Sequence, residues 1–203
     1  MLLTYLDYIG IYFFTISGCL VAAEKRMDYF GILIIGMITA IGGGTARDLI
    51  LGDTPVYWIS NYGAIFTVLL GAITTVFAYK ILARLSKMIF IFDTLGIATC
   101  TVIGAQKALD FGSLWYVASL FGVMTAVFGG LIRDVVCNRI PLVLRKEVYA
   151  TACLAGAMLY CFLHWYLGED YRELNIISSM LVIVTIRVLS VVFKWRIPVI
   201  TLR

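Results

Sequence analysis

Seven nearly charge-free stretches follow one another along the chain, at about 3–23, 29–51, 56–79, 88–106, 111–137, 148–168 and 174–193. Each is close to the 20 or so apolar residues that a helix needs to cross a bilayer. The polar residues are gathered between them. Glu24, Lys25, Arg26 and Asp28 follow the first stretch, and Lys80, Arg84 and Lys87 bracket the gap after the third. Arg139 to Glu147 follow the fifth, and Glu169 to Glu173 follow the sixth. The pattern predicts an all-α membrane protein with seven transmembrane helices, without low-complexity linkers or a water-soluble domain.

The basic residues orient these spans. The segments after spans 1, 3, 5 and 7 hold Lys25, Arg26, Lys80, Arg84, Lys87, Arg139, Arg145, Lys146, Lys194, Arg196 and Arg203, which is eleven, whereas those after spans 2, 4 and 6 hold only Lys107 and Arg172. Lys and Arg concentrate in cytoplasmic loops. The expected topology therefore has the N-terminus outside and the C-terminus in the cytoplasm.

The polar positions also repeat. At an offset of 86, Asp7 falls on Asp93, Gly10 on Gly96, Thr15 on Thr101, Gly18 on Gly104, Gly36 on Gly122 and Thr39 on Thr125. Gly43 and Gly44 fall on Gly129 and Gly130, Arg47 and Asp48 on Arg133 and Asp134, and Pro55 on Pro141. Coincidences of Ala or Leu are cheap in an apolar chain, but those of Asp, Arg, Pro and paired Gly at one offset are not. The reading is a first three-helix repeat over 1–86, a second over 87–172, and a seventh helix with a cytoplasmic tail over 173–203. Because each repeat has an odd number of spans, the second enters from the opposite face. Inverted repeats of this kind are characteristic of transport proteins, whose substrate sites lie at interrupted helices.

Span 2 carries Gly42, Gly43, Gly44 and Thr45 ahead of Arg47 and Asp48, and span 5 carries Gly129 and Gly130 ahead of Arg133 and Asp134. Glycines in a helix interior cost about 1 kcal/mol each relative to Ala. In lipid, bare backbone is tolerated only where it is buried in protein or lines a wet cavity. Both helices are therefore expected to kink or unwind here and to line a pathway, with close packing through small residues as the other reading. A phosphate-cradling loop would need a preceding strand, and none is predicted.

Charges inside a span face a partner or water. Two ion pairs are expected to hold the glycine-rich helices, Asp7 with Arg47 and Asp93 with Arg133, leaving Asp48 and Asp134 for a cation. Thr15, Ser17, Thr39, Thr45, Thr101 and Thr125 offer hydroxyls that could line the path or bond back to their own helices. Arg187 and His164 are read as snorkelling or interfacial residues. Trp58, Tyr62, Trp115, Tyr116, Trp165 and Tyr166 are read as an aromatic belt.

Composition narrows the function classes. The chain is 62% hydrophobic and 14% charged, against about 25% charged in a soluble domain. Its net charge of +4 reports orientation and not nucleic-acid binding. The five cysteines lie in or beside apolar runs without metal-ligand spacing, so no metal site is expected, and they read as packing residues. A lone histidine and the lack of a nucleophile–base constellation leave nothing to run an enzymatic reaction. Residues 1–23 are read as a retained helix, since a secretory signal wants positive charge ahead of its apolar core.

Two repeats bearing GGGxxRD and GGxxRD, each followed by Pro, on a seven-span chain of about 200 residues resemble the prokaryotic trimeric intracellular cation (TRIC) channels, within a wider bacterial glycine-motif membrane family. The resemblance covers nearly the whole chain. It implies a homotrimer in the bacterial or archaeal inner membrane, with one pore per protomer lined by the glycine-bearing second and fifth spans. It also implies conduction of monovalent cations, chiefly potassium, with no cofactor beyond a bound phospholipid of the kind reported for some animal relatives. Here the second motif lacks one glycine of a full triplet, with Phe128 in its place. Other bacterial members are associated with glycine uptake, so transport of a small neutral solute is the alternative.

Overall fold

The computed structural model describes residues 2–82, 87–195 and 198. The helices are α1 (Leu2–Glu24), α2 (Tyr29–Leu51), α3 (Tyr57–Ser60), α4 (Tyr62–Leu82), α5 (Met88–Asp110), α6 (Trp115–Val136), α7 (Ala150–Leu167) and α8 (Arg172–Val192). All but the four-residue α3 are long and apolar enough to cross a membrane. The chain is an all-helical, multi-pass membrane protein, as the run of apolar stretches predicts. Arg84, Arg196 and Arg203, which enter the charge count, lie outside the described residues, as do the side chain of Lys80 and the 86/87 boundary region at 83–86.

Two boundaries differ from expectation. The third stretch splits, because Asn61 interrupts α3 and α4 with an extended backbone and accepts a hydrogen bond from the Gly63 N–H at 2.9 Å. The fourth span runs on to Asp110, and α6 does not begin until Trp115. Gly112 sits between them with φ 76°, a conformation that glycine adopts without strain.

Local signals account for the ends of α2 and α6. The Asp28 carboxylate caps α2 by accepting from the Gly31 N–H at 2.7 Å. At the far end Gly52 turns left-handed, its N–H bonding Leu49, while the Asp53 N–H bonds the Asp48 carbonyl at 2.9 Å. Helix α6 ends the same way 86 residues later. Asn138 is left-handed, its N–H bonds Val135, and the Arg139 N–H bonds the Asp134 carbonyl at 2.8 Å. Glycine and asparagine are the residues that close a helix in this manner.

At the centre stand α1 and α5, whose spans are 61% and 67% buried, more than those of the other helices. Helix α2 packs along α1, α6 packs along α5, and α2 and α6 cross one another. Small residues set these distances. A side chain on Gly18 would strike Thr39, and one on Gly104 would strike Thr125. Helix α8 packs on α5 and α7. The outer faces present apolar side chains such as Phe66, Phe77, Leu120 and Phe162 to lipid.

Candidate functional site at the two glycine motifs

Both glycine-bearing helices are unbroken through their motifs, α2 from Tyr29 to Leu51 and α6 from Trp115 to Val136. Unwinding is therefore absent; Gly43 and Gly129 serve close packing, whereas Gly44 has open space before it. A Cβ on Gly43 would overlap the Thr125 carbonyl oxygen, and one on Gly129 would overlap the Thr39 carbonyl oxygen. These contacts are reciprocal at the offset of 86, so each repeat seats its glycine on the other repeat's threonine. Backbone touches backbone, which is what small residues permit where helices cross in a membrane.

The hydroxyls expected as lining mostly turn back on their own helices. Thr15 donates to Ile11 at 2.7 Å, Thr39 to Ile35 at 2.6 Å, Thr45 to Ile41 at 2.8 Å, Thr101 to Ile97 at 2.6 Å and Thr125 to Phe121 at 2.7 Å. Ser17 instead accepts from the Arg133 guanidinium at 2.8 Å. Thr45 also accepts from the Trp58 indole N–H at 3.0 Å, which turns Trp58 inward and out of the expected aromatic belt. Tyr62, Trp115, Tyr116, Trp165 and Tyr166 are exposed.

Each Arg–Asp motif is a buried polar knot. At the second, Arg133 donates to Asp93 at 2.9 Å, to Asp134 at 2.9 Å and to Ser17. Asp134 also accepts the Leu142 N–H at 3.1 Å and so anchors the loop after α6. The expected Asp93–Arg133 pair is present. At the first motif, Arg47 bonds its neighbour Asp48 at 2.8 Å, and no ion pair forms between Asp7 and Arg47. Asp7 instead interacts with Tyr57, with Arg47 acting on it electrostatically. Asp48 accepts from the Tyr57 N–H at 3.0 Å and from Lys107 at 2.8 Å, and Lys107 reaches on to Asp53 at 2.5 Å. Neither Asp48 nor Asp134 is spare: each carries an arginine and a backbone N–H, because a buried carboxylate must have its lone pairs satisfied.

Helix α5 links the two knots. It offers Asp93 near its start to one and Lys107 near its end to the other, and fourteen residues of helix rise about 21 Å. The first knot lies at the face reached by the start of α1, and the second at the face reached by the start of α7 and the end of α8. At the first knot, Asp7, Gly44, Thr45, Arg47, Asp48 and Trp58 border a cavity of about 30 Å³. At the second, the corresponding space before Gly130 holds the Tyr149 hydroxyl, 3.3 Å from where a Cβ on Gly130 would stand.

Arg187 does not snorkel. It is 1% exposed, its guanidinium carbon 4.8 Å from the Tyr149 ring centroid and 4.9 Å from that of Phe90. Lys107, Tyr57 and Tyr149 escaped sequence reasoning. None lies in a motif, and only the doubled Asp7, Arg47 and Asp48 marked where such partners would gather. Among the described residues no cluster of three or more His, Cys, Asp or Glu could hold a metal.

Comparison with known proteins fixes the family. A profile described as Glycine transporter matches the chain twice, over residues 4–80 and 90–165, the two starts differing by 86. The chain belongs to that family. The UPF0126 inner membrane protein YadS of Escherichia coli is 36% identical over 197 residues, covering 97% of this chain and 94% of YadS. A UPF0126 membrane protein of Vibrio cholerae is 40% identical over 160 residues, covering 78% and 67% of the two chains. Among solved structures, the TRIC trimeric intracellular cation channel orthologue from Rhodobacter sphaeroides superposes with a TM-score of 0.90 at 35% identity, covering 95% of this chain and 98% of that one. A structure described in the context of conductance through TRIC cation channels gives 0.89 at 32% identity, covering 100% and 99%. The chain is thus a multi-pass inner-membrane protein of the TRIC fold, and the resemblance carried by its doubled motif holds.

Proposed function

We propose that this chain is a monovalent-cation channel, chiefly for potassium, with one pathway in each protomer of a homotrimer. The pathway runs beside the α2–α6 crossing, between the knot at Asp48 and the knot at Asp134. The observation that carries this reading is the placement of two charged, repeat-related motifs at opposite ends of α5, joined by a backbone-to-backbone crossing at Gly43 and Gly129. Charged groups within membrane spans pair with one another and mark ion pathways, and two such clusters stand at the two ends of this crossing. The solved relatives named as TRIC channels match over nearly the whole chain. The trimer follows the Rhodobacter sphaeroides relative, which is described as trimeric.

The second repeat is inverted in this reading, with the N-terminus outside and the knot at Asp134 facing the cytoplasm. The excess of Lys and Arg after spans 1, 3, 5 and 7 supports that orientation.

A carrier for glycine or another small neutral solute is the second reading, favoured by the description of the family profile. Against it, the cavity beside Gly44 is about 30 Å³, room for about one water molecule and not for an amino acid. Planar-bilayer recording of the purified chain in a potassium gradient tests the two. Unitary currents that reverse near the potassium equilibrium potential support the channel. Silence in the bilayer together with saturable glycine uptake into liposomes replaces it with the carrier.

A further inference from the structure

We propose that Tyr149 closes the pathway at the second knot and that Arg187, from the helix outside the repeats, is the residue that positions it. This rests on the channel reading above. The two knots share the adjacent Arg–Asp pair and a backbone N–H on its carboxylate, and they differ in front of the last glycine of each motif. Before Gly44 there is a cavity, and the nearest side-chain atom to a Cβ placed there is the Arg47 guanidinium at 3.7 Å. Before Gly130 the Tyr149 hydroxyl, the Arg133 guanidinium and the Asp93 carboxylate all lie within 3.8 Å of that point. The residue 86 positions before Tyr149 is Gly63, whose space is taken by Tyr8 and Asn61. The obstruction is therefore one-sided.

Tyr149 also has the wrong chemistry for a static plug. It is 2% exposed, yet its hydroxyl has no hydrogen-bond partner among the described residues, and neither has Asp93 Oδ2 beside it. Buried polar atoms are normally satisfied. Water entering the space once the ring swings out would satisfy both. The ring sits at the junction where the irregular segment 145–149 meets α7, so it can move without breaking a helix.

Arg187 holds this junction from two sides. Its guanidinium is stacked between the rings of Tyr149 and Phe90, and it donates to the Val148 carbonyl at 3.0 Å, with Glu147 at 3.7 Å. A planar guanidinium can stack and donate at once, which an ammonium cannot do. The arrangement gives α8 a task that the duplicated repeats leave unfilled.

The test is single-channel recording of the purified full-length chain in symmetric KCl. Tyr149→Ala is expected to raise the fraction of time open by about tenfold, the size of shift that losing one such contact set produces. Arg187→Gln raises it in the same direction without changing unitary conductance, and Arg187→Lys falls between, since it keeps the charge but not the stack. Tyr149→Phe keeps the ring and its stacking partner and removes the unmatched hydroxyl, so it lowers the open fraction. A merely structural role would lower the melting temperature of these variants and leave gating alone. Open fractions equal to that of the unaltered chain in Tyr149→Ala, Tyr149→Phe and Arg187→Gln overturn the proposal. If the unaltered chain carries no unitary current, the channel reading fails and the gate falls with it.

Discussion

No side chain fits on Gly43, because its first carbon would overlap the carbonyl oxygen of Thr125 on the crossing helix. The neighbouring glycines differ sharply. A Cβ on Gly42 would meet Ile132 at 3.4 Å, and one on Gly44 would meet nothing nearer than 3.7 Å. Three consecutive glycines thus have one strict member, and the same holds for Gly129 in the shorter second motif, against Thr39.

Gly43→Ala and Gly129→Ala should therefore each destabilise the fold by about 3 kcal/mol, at the upper end of overpacking costs, whereas Gly44→Ala should cost little. Thermal unfolding in detergent checks this. The double variant Gly43→Ala/Gly129→Ala should fall short of additivity, since both methyls force apart the same crossing. Equal losses for Gly43→Ala and Gly44→Ala would refute the assignment.

The two arginines should respond unequally to neutralisation. Arg133 is 1% exposed and joins Asp93, Asp134 and Ser17. Arg133→Gln leaves two buried carboxylates without their cation and should cost about 3–5 kcal/mol, enough to abolish a folded peak in size-exclusion chromatography. Arg47→Gln should be milder, because Lys107 still holds Asp48 at 2.8 Å. Restoring neutrality with Arg133→Gln/Asp93→Asn should recover part of the loss, and a double variant as unstable as Arg133→Gln would argue against the pair.

Much of this was legible in the sequence, for a physical reason in each case. Spans follow from the length of apolar runs, and the offset of 86 ties Asp93–Arg133 to the motifs before any coordinates are known. The pairing of Arg47 was not legible. Adjacent helical residues do not normally face each other, so Asp7 was the natural partner. Past the end of α2, however, the Tyr57 N–H and Lys107 draw Asp48 over to where the Arg47 Nε can reach it. Tyr149 and Arg187 were equally out of reach. Their meeting depends on how a loop and a helix outside the repeat fold back onto the second knot, and neither periodicity nor a motif encodes that.

Orientation can be tested with the chain's own chemistry. All five cysteines are buried, so an added thiol on the surface should dominate labelling by a membrane-impermeant maleimide. Asp53→Cys, beside the first knot, should label in intact cells. Lys194→Cys, past the end of α8, should label only after permeabilisation. The reverse pattern would invert the topology that the Lys and Arg count implies.

Lys107 gives the sharpest test of where ions enter. It bridges Asp48 and Asp53 at 2.8 and 2.5 Å and is 21% exposed, at the face where the cavity beside Gly44 lies. A fixed positive charge at that mouth opposes a cation, so Lys107→Gln should raise unitary potassium conductance by leaving the two carboxylates unneutralised. The gain should be large at low ionic strength and fade toward about 1 M salt, where the screening length shrinks to about 3 Å. Conductance in Lys107→Gln that matches the unaltered chain across this range would place the ion path away from the first knot. A gain that persists undiminished at high salt would instead mean that Lys107 acts by blocking the path sterically, not through its charge.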